Sequence, residues 1–146
     1  MDINTALNEL LVKLFRNINT IEEHAIKTEC HINVTTNDMH VIEAIGPNRQ
    51  KNMTSVAKAL SVTTGTLTIS INSLVKKGYV NRVRSEEDRR VVLVSLTEKG
   101  MQAHEHHRRF HEKMIADIIS NLNEEEQKVL TKALNNISNF FKLSAE

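Results

Sequence analysis

The chain has few of the residues that break helices or cross-link a fold. Its 146 residues include four glycines, one proline and one cysteine. Because Cys30 is the single cysteine, an internal disulfide is excluded and a reducing compartment is expected. No segment approaches the roughly 18 consecutive apolar residues of a membrane helix, and the N-terminus lacks an apolar signal segment. We therefore expect a cytoplasmic protein with no membrane partner.

Aromatic residues are also scarce, at 3% of the chain. This excludes the ring platform on which single-stranded nucleic acids stack, so any nucleic acid bound should be a duplex. The net charge of +1 is unevenly distributed: residues 51–100 contain nine basic and four acidic side chains, whereas both flanks are net acidic. One interpretation is an uneven but inert surface. The other is a central basic module that faces phosphates.

Apolar spacing and β-branched runs predict a mainly α fold with a small β element. Steps of three and four residues indicate helices over 3–29, 36–44, 53–60, 64–77, 97–121 and from Asn123 onward. Gly46-Pro47 should end the second helix, and Gly78 should end the fourth in a left-handed conformation. Asn123 and Glu126 should form a capping box at the start of the last helix. Alternating residues at 79–84 and 91–96 predict two strands that form a hairpin around a polar tip.

The order helix, turn, helix, strand, tip, strand is that of a winged helix-turn-helix. In this arrangement the second helix enters the major groove of DNA and the hairpin, or wing, reaches an adjacent groove. The helix predicted to enter the groove is rich in hydroxyls near its start, at Thr63, Thr64, Thr66 and Thr68. Threonine methyls can contact thymine methyls, so we predict an A·T-rich operator that is read partly through DNA shape.

The polar tip of the hairpin contains Asp88, Arg89 and Arg90, which are candidates for contact with DNA. Asp88 should pair with and orient Arg90, while Arg89 or Arg90 projects toward the minor groove. Most such charged runs are solvated turns, but the adjacent groove-type helix favours a role in binding. The predicted DNA contacts, several of them to phosphates, are Thr54, Thr63, Thr64, Thr66, Thr68, Asn72, Lys76, Lys77, Arg82, Arg84, Asp88, Arg89 and Arg90.

Residues 84–100 resemble the wing signature of the MarR family of transcriptional regulators, in which Asp-x-Arg precedes a strand and Leu-Thr-x-x-Gly. The likeness continues upstream through 56–60 and 77–80. It implies a homodimer on a palindromic operator. Residues 1–146 would form a single MarR-type chain, with a DNA-binding lobe at about 36–97 and dimerisation helices at about 1–30 and 98–146. Interlocked terminal helices would bury the apolar stripe around Leu7, Leu11, Ile137 and Phe141.

Within that family, the likeness is greatest to repressors of fatty-acid synthesis genes. The segments 39–43, 62–68, 82–92 and 109–111 carry it, including a threonine at position 64 where the general pattern has a basic residue. This resemblance implies repression of fatty-acid biosynthesis with long-chain acyl-acyl carrier protein as co-repressor. It also implies a tunnel for the acyl chain, whose lining the sequence does not identify.

Two other effectors remain open. His104, His107 and His111 share one helical face, and by position Glu22, His40, His107 and His111 resemble the ligand set of MarR-type zinc sensors, which predicts a possible Zn²⁺ site. The alternative is that these histidines form ion pairs at a helix junction, with Glu22 or Glu23 as partners. Cys30 is a candidate oxidation sensor, as in relatives that respond to peroxides.

An enzyme is the competing function from another class. The sequence has no phosphate-binding glycine loop, no nucleophile elbow and no metalloprotease histidine pair. The histidine face is the one constellation that could support chemistry. We therefore predict that the chain is not an enzyme. Apart from the Zn²⁺ considered above, the sequence predicts no cofactor.

Overall fold

The computed structural model describes the backbone of residues 1–30 and 33–145, and their side chains except those of 28–30 and 143–145. The side chain of Cys30, the candidate redox sensor, therefore lies outside the described residues. The chain forms two compact units, Met1–His107 and Arg108–Glu146, which are described separately. None of the described helices is long and apolar enough to cross a membrane.

The first unit contains most of the secondary structure. Its elements, in chain order, are α1 (Ile3–Asn8), a π-helical segment (Glu9–Leu14), α2 (Phe15–Cys30), α3 (Thr36–Ile45), β1 (Lys51–Asn52), α4 (Met53–Leu60), α5 (Thr64–Lys77), β2 (Val80–Arg84) and β3 (Val92–Leu96). Helix α6 (Glu98–Ile119) begins in this unit and continues into the second, which also contains α7 (Glu124–Ala145). The predicted mainly α fold with a small β wing is confirmed.

The prediction of one regular N-terminal helix was wrong in one respect. The segment Glu9–Leu14 is π-helical, and the Phe15 backbone N–H donates to the Leu10 carbonyl five residues earlier. The sequence pattern did not reveal this, because apolar steps of three and four residues continue across the segment with little change.

The helix ends follow local hydrogen-bonding rules. Thr35 and Asp38 form a reciprocal capping box at the start of α3, and the Thr63 hydroxyl accepts from the Thr66 N–H at the start of α5. Gly78 ends α5 at a φ of 86°, as predicted, and Gly46 follows α3 at a φ of 76°. These caps fix the ends of α5, the second helix of the helix-turn-helix, and of α3, which precedes the motif.

The predicted two-stranded hairpin is part of a three-stranded antiparallel sheet in the order β1-β3-β2. β2 and β3 pair from Val80 opposite Leu96 to Arg84 opposite Val92. The additional strand β1 pairs Lys51 with Val94 and Asn52 with Leu93. A strand of two residues has no alternating pattern, so the sequence predicted only a connection there.

The core of the first unit lies between α2 to α5, the sheet and the start of α6. Its buried apolar side chains are Ile26, Val34, Met39, Val41, Ile42, Ile45, Val56, Ala57, Leu67, Ile71, Leu74, Tyr79, Val80, Val94, Leu96 and Ala103. At the edge of this core, Lys77 Nζ contacts the buried carboxylate of Asp38 at 2.8 Å. The ion pair joins the start of α3 to the end of α5, so the predicted DNA contact Lys77 is engaged within the protein.

A second junction joins the end of α5 to the start of α6. The Thr97 hydroxyl donates to the Gly78 carbonyl at 2.6 Å and accepts from the Gly100 N–H at 3.1 Å. Gly100 packs directly on the backbone of Tyr79: a Cβ at position 100 would lie 2.1 Å from the Tyr79 carbonyl oxygen. The Leu-Thr-x-x-Gly part of the wing signature therefore has a packing explanation in this chain.

The second unit consists of the C-terminal part of α6 and the helix α7. The capping box predicted at Asn123 and Glu126 is confirmed, with N–H to oxygen distances of 2.9 and 3.0 Å. Both helices of this unit present large apolar side chains that are exposed in the single chain, namely Met114, Ile115, Ile118, Ile119, Val129, Leu130, Leu134, Phe140 and Phe141.

Candidate nucleic-acid interface

An open cleft of about 750 Å³ separates the start of α5 from the wing, which comprises β2, β3 and the loop 85–91. We call it the wing cleft. Its lining residues are Asn52, Met53, Thr54, Thr64, Thr68, Arg82, Val83, Arg84, Arg90, Val91 and Val92. It therefore brings together six of the predicted hydroxyl and arginine contacts, which come from α4, α5, β2 and the wing loop.

The wing cleft suits a phosphate group. Three arginines line it, and none of its lining residues is acidic. Helix α4 begins at this cleft, where Asn52 accepts from the Ser55 N–H. A helix N-terminus favours anions because its first N–H groups have no partner within the helix. Arginine side chains and a helix N-terminus are both typical phosphate contacts in protein–DNA complexes.

Two of the threonine hydroxyls at the start of α5 already donate hydrogen bonds within the protein. The Thr68 hydroxyl donates to the Thr64 carbonyl at 2.7 Å. The Thr63 hydroxyl donates to the Thr66 hydroxyl at 3.0 Å and accepts from the Thr66 N–H at 3.1 Å. A hydroxyl has one proton, so Thr63 and Thr68 can offer a DNA base only acceptor positions and their methyl groups.

Two of the predicted contacts, one on α5 and one on β2, are joined directly. The Arg82 guanidinium on β2 donates to the side-chain oxygen of Asn72 on α5. Both residues are exposed, and Lys76 is exposed one helical turn beyond Asn72. Arg82 therefore orients the amide of Asn72, a pairing across ten residues that the sequence did not predict.

The tip of the wing is ordered by its own hydrogen bonds. The Ser85 N–H donates to the Val91 carbonyl at 2.8 Å, and the Val91 N–H donates to the Asp88 carbonyl at 2.9 Å. Arg84 Nη1 donates to the Arg89 carbonyl at 3.1 Å. The loop therefore has a defined shape, and Arg84 stabilises it as well as lining the wing cleft.

The predicted pairing of Asp88 with Arg90 is confirmed. Asp88 Oδ1 accepts from both the backbone N–H of Arg90 at 3.0 Å and its Nε at 3.2 Å. The Arg90 side chain is nonetheless 91% exposed, so the pairing orients the guanidinium without burying it. Arg89 is also exposed at the tip.

This pairing should be visible in the titration of Asp88. The hydrogen bonds from the Arg90 side chain and backbone lower the pKa of the Asp88 carboxyl below its ordinary value of 3.8. The pairing is therefore complete at neutral pH and is lost only as the pH falls through that lowered pKa. In a carboxyl-detected NMR titration, Arg90→Ala should raise the Asp88 pKa toward 3.8; an unchanged pKa would contradict the pairing.

The predicted zinc ligands lie on several elements. Glu22 is partly buried on α2, His40 is exposed on α3, and His111 belongs to the second unit. His107, which is 4% exposed, contacts Glu43 on α3 with an Nε2 to Oε1 distance of 2.9 Å. The sequence did not predict Glu43 as a partner, because α3 and α6 are more than 50 residues apart in the chain. The zinc set remains a prediction.

Comparison with known proteins identifies the family to which the chain belongs. The sequence model of the family described as transcriptional regulator SarA/Rot matches residues 24–107, which is more than half of the chain. The crystal structure of Streptococcus pneumoniae FabT in complex with DNA is 41% identical, with a TM-score of 0.85 over 95% of this chain and 97% of that one. The chain belongs to the SarA/Rot and MarR group of transcriptional regulators.

Other members of the group are more distant from this MarR-type chain. Bacillus subtilis YpoP, an uncharacterised transcriptional regulator, is 31% identical over 72% of the chain and 69% of its own length. Bacillus subtilis YhjH is 28% identical, and the match spans 62% of the chain but only 50% of YhjH. Apo MarR from E. coli is 25% identical, with a TM-score of 0.63 over 86% of the chain and 93% of MarR. These relatives are regulators, in agreement with the absence of enzyme motifs from the sequence.

Proposed function

We propose that this MarR-type regulator binds a palindromic duplex operator as a homodimer, with α5 in the major groove and the wing in the minor groove. The main support for this proposal is the position and the basic lining of the wing cleft. It lies between the two DNA-reading elements, where the sugar–phosphate backbone separates one groove from the next. Its arginines and the α4 N-terminus supply the charge that a phosphate requires.

The homodimer is supported by apolar surface on each unit separately. In the first unit, the N-terminal helices expose Ile3, Leu10, Val12, Leu14, Phe15, Ile18 and Ile21, and the second unit exposes the residues named above. Exposed apolar side chains that are concentrated on a few helices are typical of an interface, and a second copy of the chain would cover them. A dimer also presents two wings and two α5 helices, which a palindrome matches.

The operator that we propose is A·T-rich and regulates fatty-acid biosynthesis genes, with the chain acting as a repressor. The threonine-rich start of α5 supports the base preference, because its engaged hydroxyls leave methyl groups and acceptor positions for the bases. The resemblance of segments 39–43, 62–68 and 82–92 to fatty-acid repressors supports the gene class, as does the 41% identity to FabT. By the same resemblance, long-chain acyl-acyl carrier protein is the proposed co-repressor.

Salt dependence tests the DNA contacts. With at least three phosphate-contacting cations per protomer, log Kd should change with log salt concentration with a slope of about 5 or more per dimer. Lys76→Ala should reduce that slope by about 2, because one contact is lost from each protomer. Lys128→Ala, which removes an exposed charge from α7, is the matched control and should leave the slope unchanged. A shallow slope for the unmodified protein would contradict the wing cleft as a phosphate site.

The co-repressor is tested by operator affinity in the presence of different effectors. Long-chain acyl-acyl carrier protein should tighten binding, whereas unacylated carrier protein should have no effect. A metal-stripped preparation titrated with Zn²⁺ tests the predicted ligand set Glu22, His40, His107 and His111 in the same assay. Tightening by zinc and not by the acylated carrier would replace the fatty-acid proposal with a zinc-responsive regulator.

A further inference from the structure

Helix α5 presents a large aliphatic side chain on its outer face. The inner face consists of Leu67, Ile71 and Leu74, which are at most 1% exposed. Ile69 lies on the opposite side of the helix and is 73% exposed. Among the exposed apolar side chains of α5, it is far more exposed than Val75, which is 36% exposed.

The neighbours of Ile69 on this face leave it open. Gly65 lies one turn before it, and a Cβ at that position would have one contact within 4 Å, the Thr63 hydroxyl at 3.9 Å. Asn72 and Lys76 lie one and two turns after it on the same face. The outer face of α5 is therefore a row of a glycine, an isoleucine, an amide and a lysine. The residues before and after Ile69 do not cover it.

Besides the donors of the Asn72 amide nitrogen and the Lys76 ammonium, this face can recognise a base through apolar contact. The hydroxyl protons of Thr63 and Thr68 are used within the helix, and the Asn72 oxygen is held by Arg82. The exposed edges of the bases in the major groove carry one apolar group, the C5 methyl of thymine. Cytosine and uracil lack it, so a branched aliphatic side chain discriminates for thymine and against both.

We propose that Ile69 is a specificity-determining residue that recognises the C5 methyl of a thymine in each half-site. The proposal rests on the insertion of α5 into the major groove proposed above. It assigns thymine selection to an isoleucine outside the threonine set. It also gives the A·T preference a specific contact: Ile69 selects the thymine of one base pair in each half of the palindrome.

Deoxyuridine tests this directly, because it differs from thymidine at that position only by the missing methyl group. An operator is first selected from a random duplex pool with the unmodified protein, and each thymine pair related by the dyad is then replaced by deoxyuridine. At one dyad-related pair of positions, the replacement should weaken binding. Loss of one buried methyl group should lower the affinity about four-fold for each half-site, and so about fifteen-fold when both half-sites are replaced. Ile69→Ala should bind the original operator about as weakly, with no further loss on deoxyuridine DNA.

Val75→Ala is the matched control, because it truncates a β-branched side chain on the same helix. It should retain the full response to deoxyuridine, and both variants should keep the thermal stability of the parent since neither side chain is buried. The proposal is overturned if no thymine position responds, or if Ile69→Ala responds as strongly as the parent. Failure of the parent protein to select any duplex would instead overturn the proposed function, and this inference with it.

Discussion

Replacing Arg90 with alanine should lower operator affinity by at least about 30-fold while leaving the fold unchanged. Each arginine contact in a groove contributes about 1–3 kcal/mol, and a homodimer loses two of them. The Arg90 side chain is 91% exposed, so its removal costs little packing. Titration of a labelled operator at fixed salt concentration measures the affinity, and circular dichroism confirms that the variant is folded.

The neighbouring arginine provides the discriminating comparison. Arg89 uses its backbone carbonyl to accept from Arg84, and no hydrogen bond is described for its side chain. Arg89→Ala should therefore weaken binding less than Arg90→Ala does. Arg16→Ala, an exposed arginine on α2, controls for the change in net charge. If Arg89→Ala has the larger effect, Asp88 orients an arginine that does not enter the groove.

Gly100→Ala should destabilise the protein by about 3 kcal/mol or more. The added Cβ would lie 2.1 Å from the Tyr79 carbonyl oxygen and 3.3 Å from the Leu96 Cβ. The Tyr79 carbonyl cannot move freely because it also accepts from the Thr97 N–H at 3.0 Å, and Leu96 is held in the buried core. Overpacking a close contact costs about 1–3 kcal/mol, and a backbone atom as the obstacle places this site at or above that range. Urea unfolding at one fixed protein concentration measures it.

Gly65→Ala is the matched control for this substitution. Gly65 lies in the first turn of α5, and its new Cβ would meet only the Thr63 hydroxyl at 3.9 Å. An alanine in a helix is more stable than a glycine by about 0.5–1 kcal/mol, so the control should raise the free energy of unfolding. Equal effects of the two substitutions would show that the Tyr79 contact is not what requires glycine at position 100.

The sequence predicted those parts of the fold that depend on residues close together in the chain. Caps, helix faces and turns act over three or four residues, so the range of α5, its end at Gly78 and the capping box at Asn123 were predicted. The cap that Thr63 provides at the start of α5 was not predicted. β1 did not, because two residues carry no periodicity. The π-helical segment was missed because its apolar spacing imitates that of an α-helix.

In the candidate site, too, contacts between residues close together in the chain were predicted and contacts between distant residues were not. The Asp88 and Arg90 pair spans two residues and was predicted, as was the threonine-rich start of α5. The contacts of Arg82 with Asn72 and of His107 with Glu43 depend on tertiary packing, which the sequence alone does not specify. The outward position of Ile69 follows from the helical spacing of Leu67, Ile71 and Leu74, which place the core on the opposite side of α5; the structure adds how fully Ile69 is exposed.

The hydrogen bonds within the wing loop also have a kinetic consequence. Because Ser85, Val91 and Arg84 hold the loop in one shape before DNA arrives, association need not wait for the loop to find that shape. Encounter should then be governed by diffusion and by attraction of the arginines to the duplex. Changes of operator sequence should act mainly on the lifetime of the complex, so the residence time on DNA would distinguish true operators from the rest of the genome.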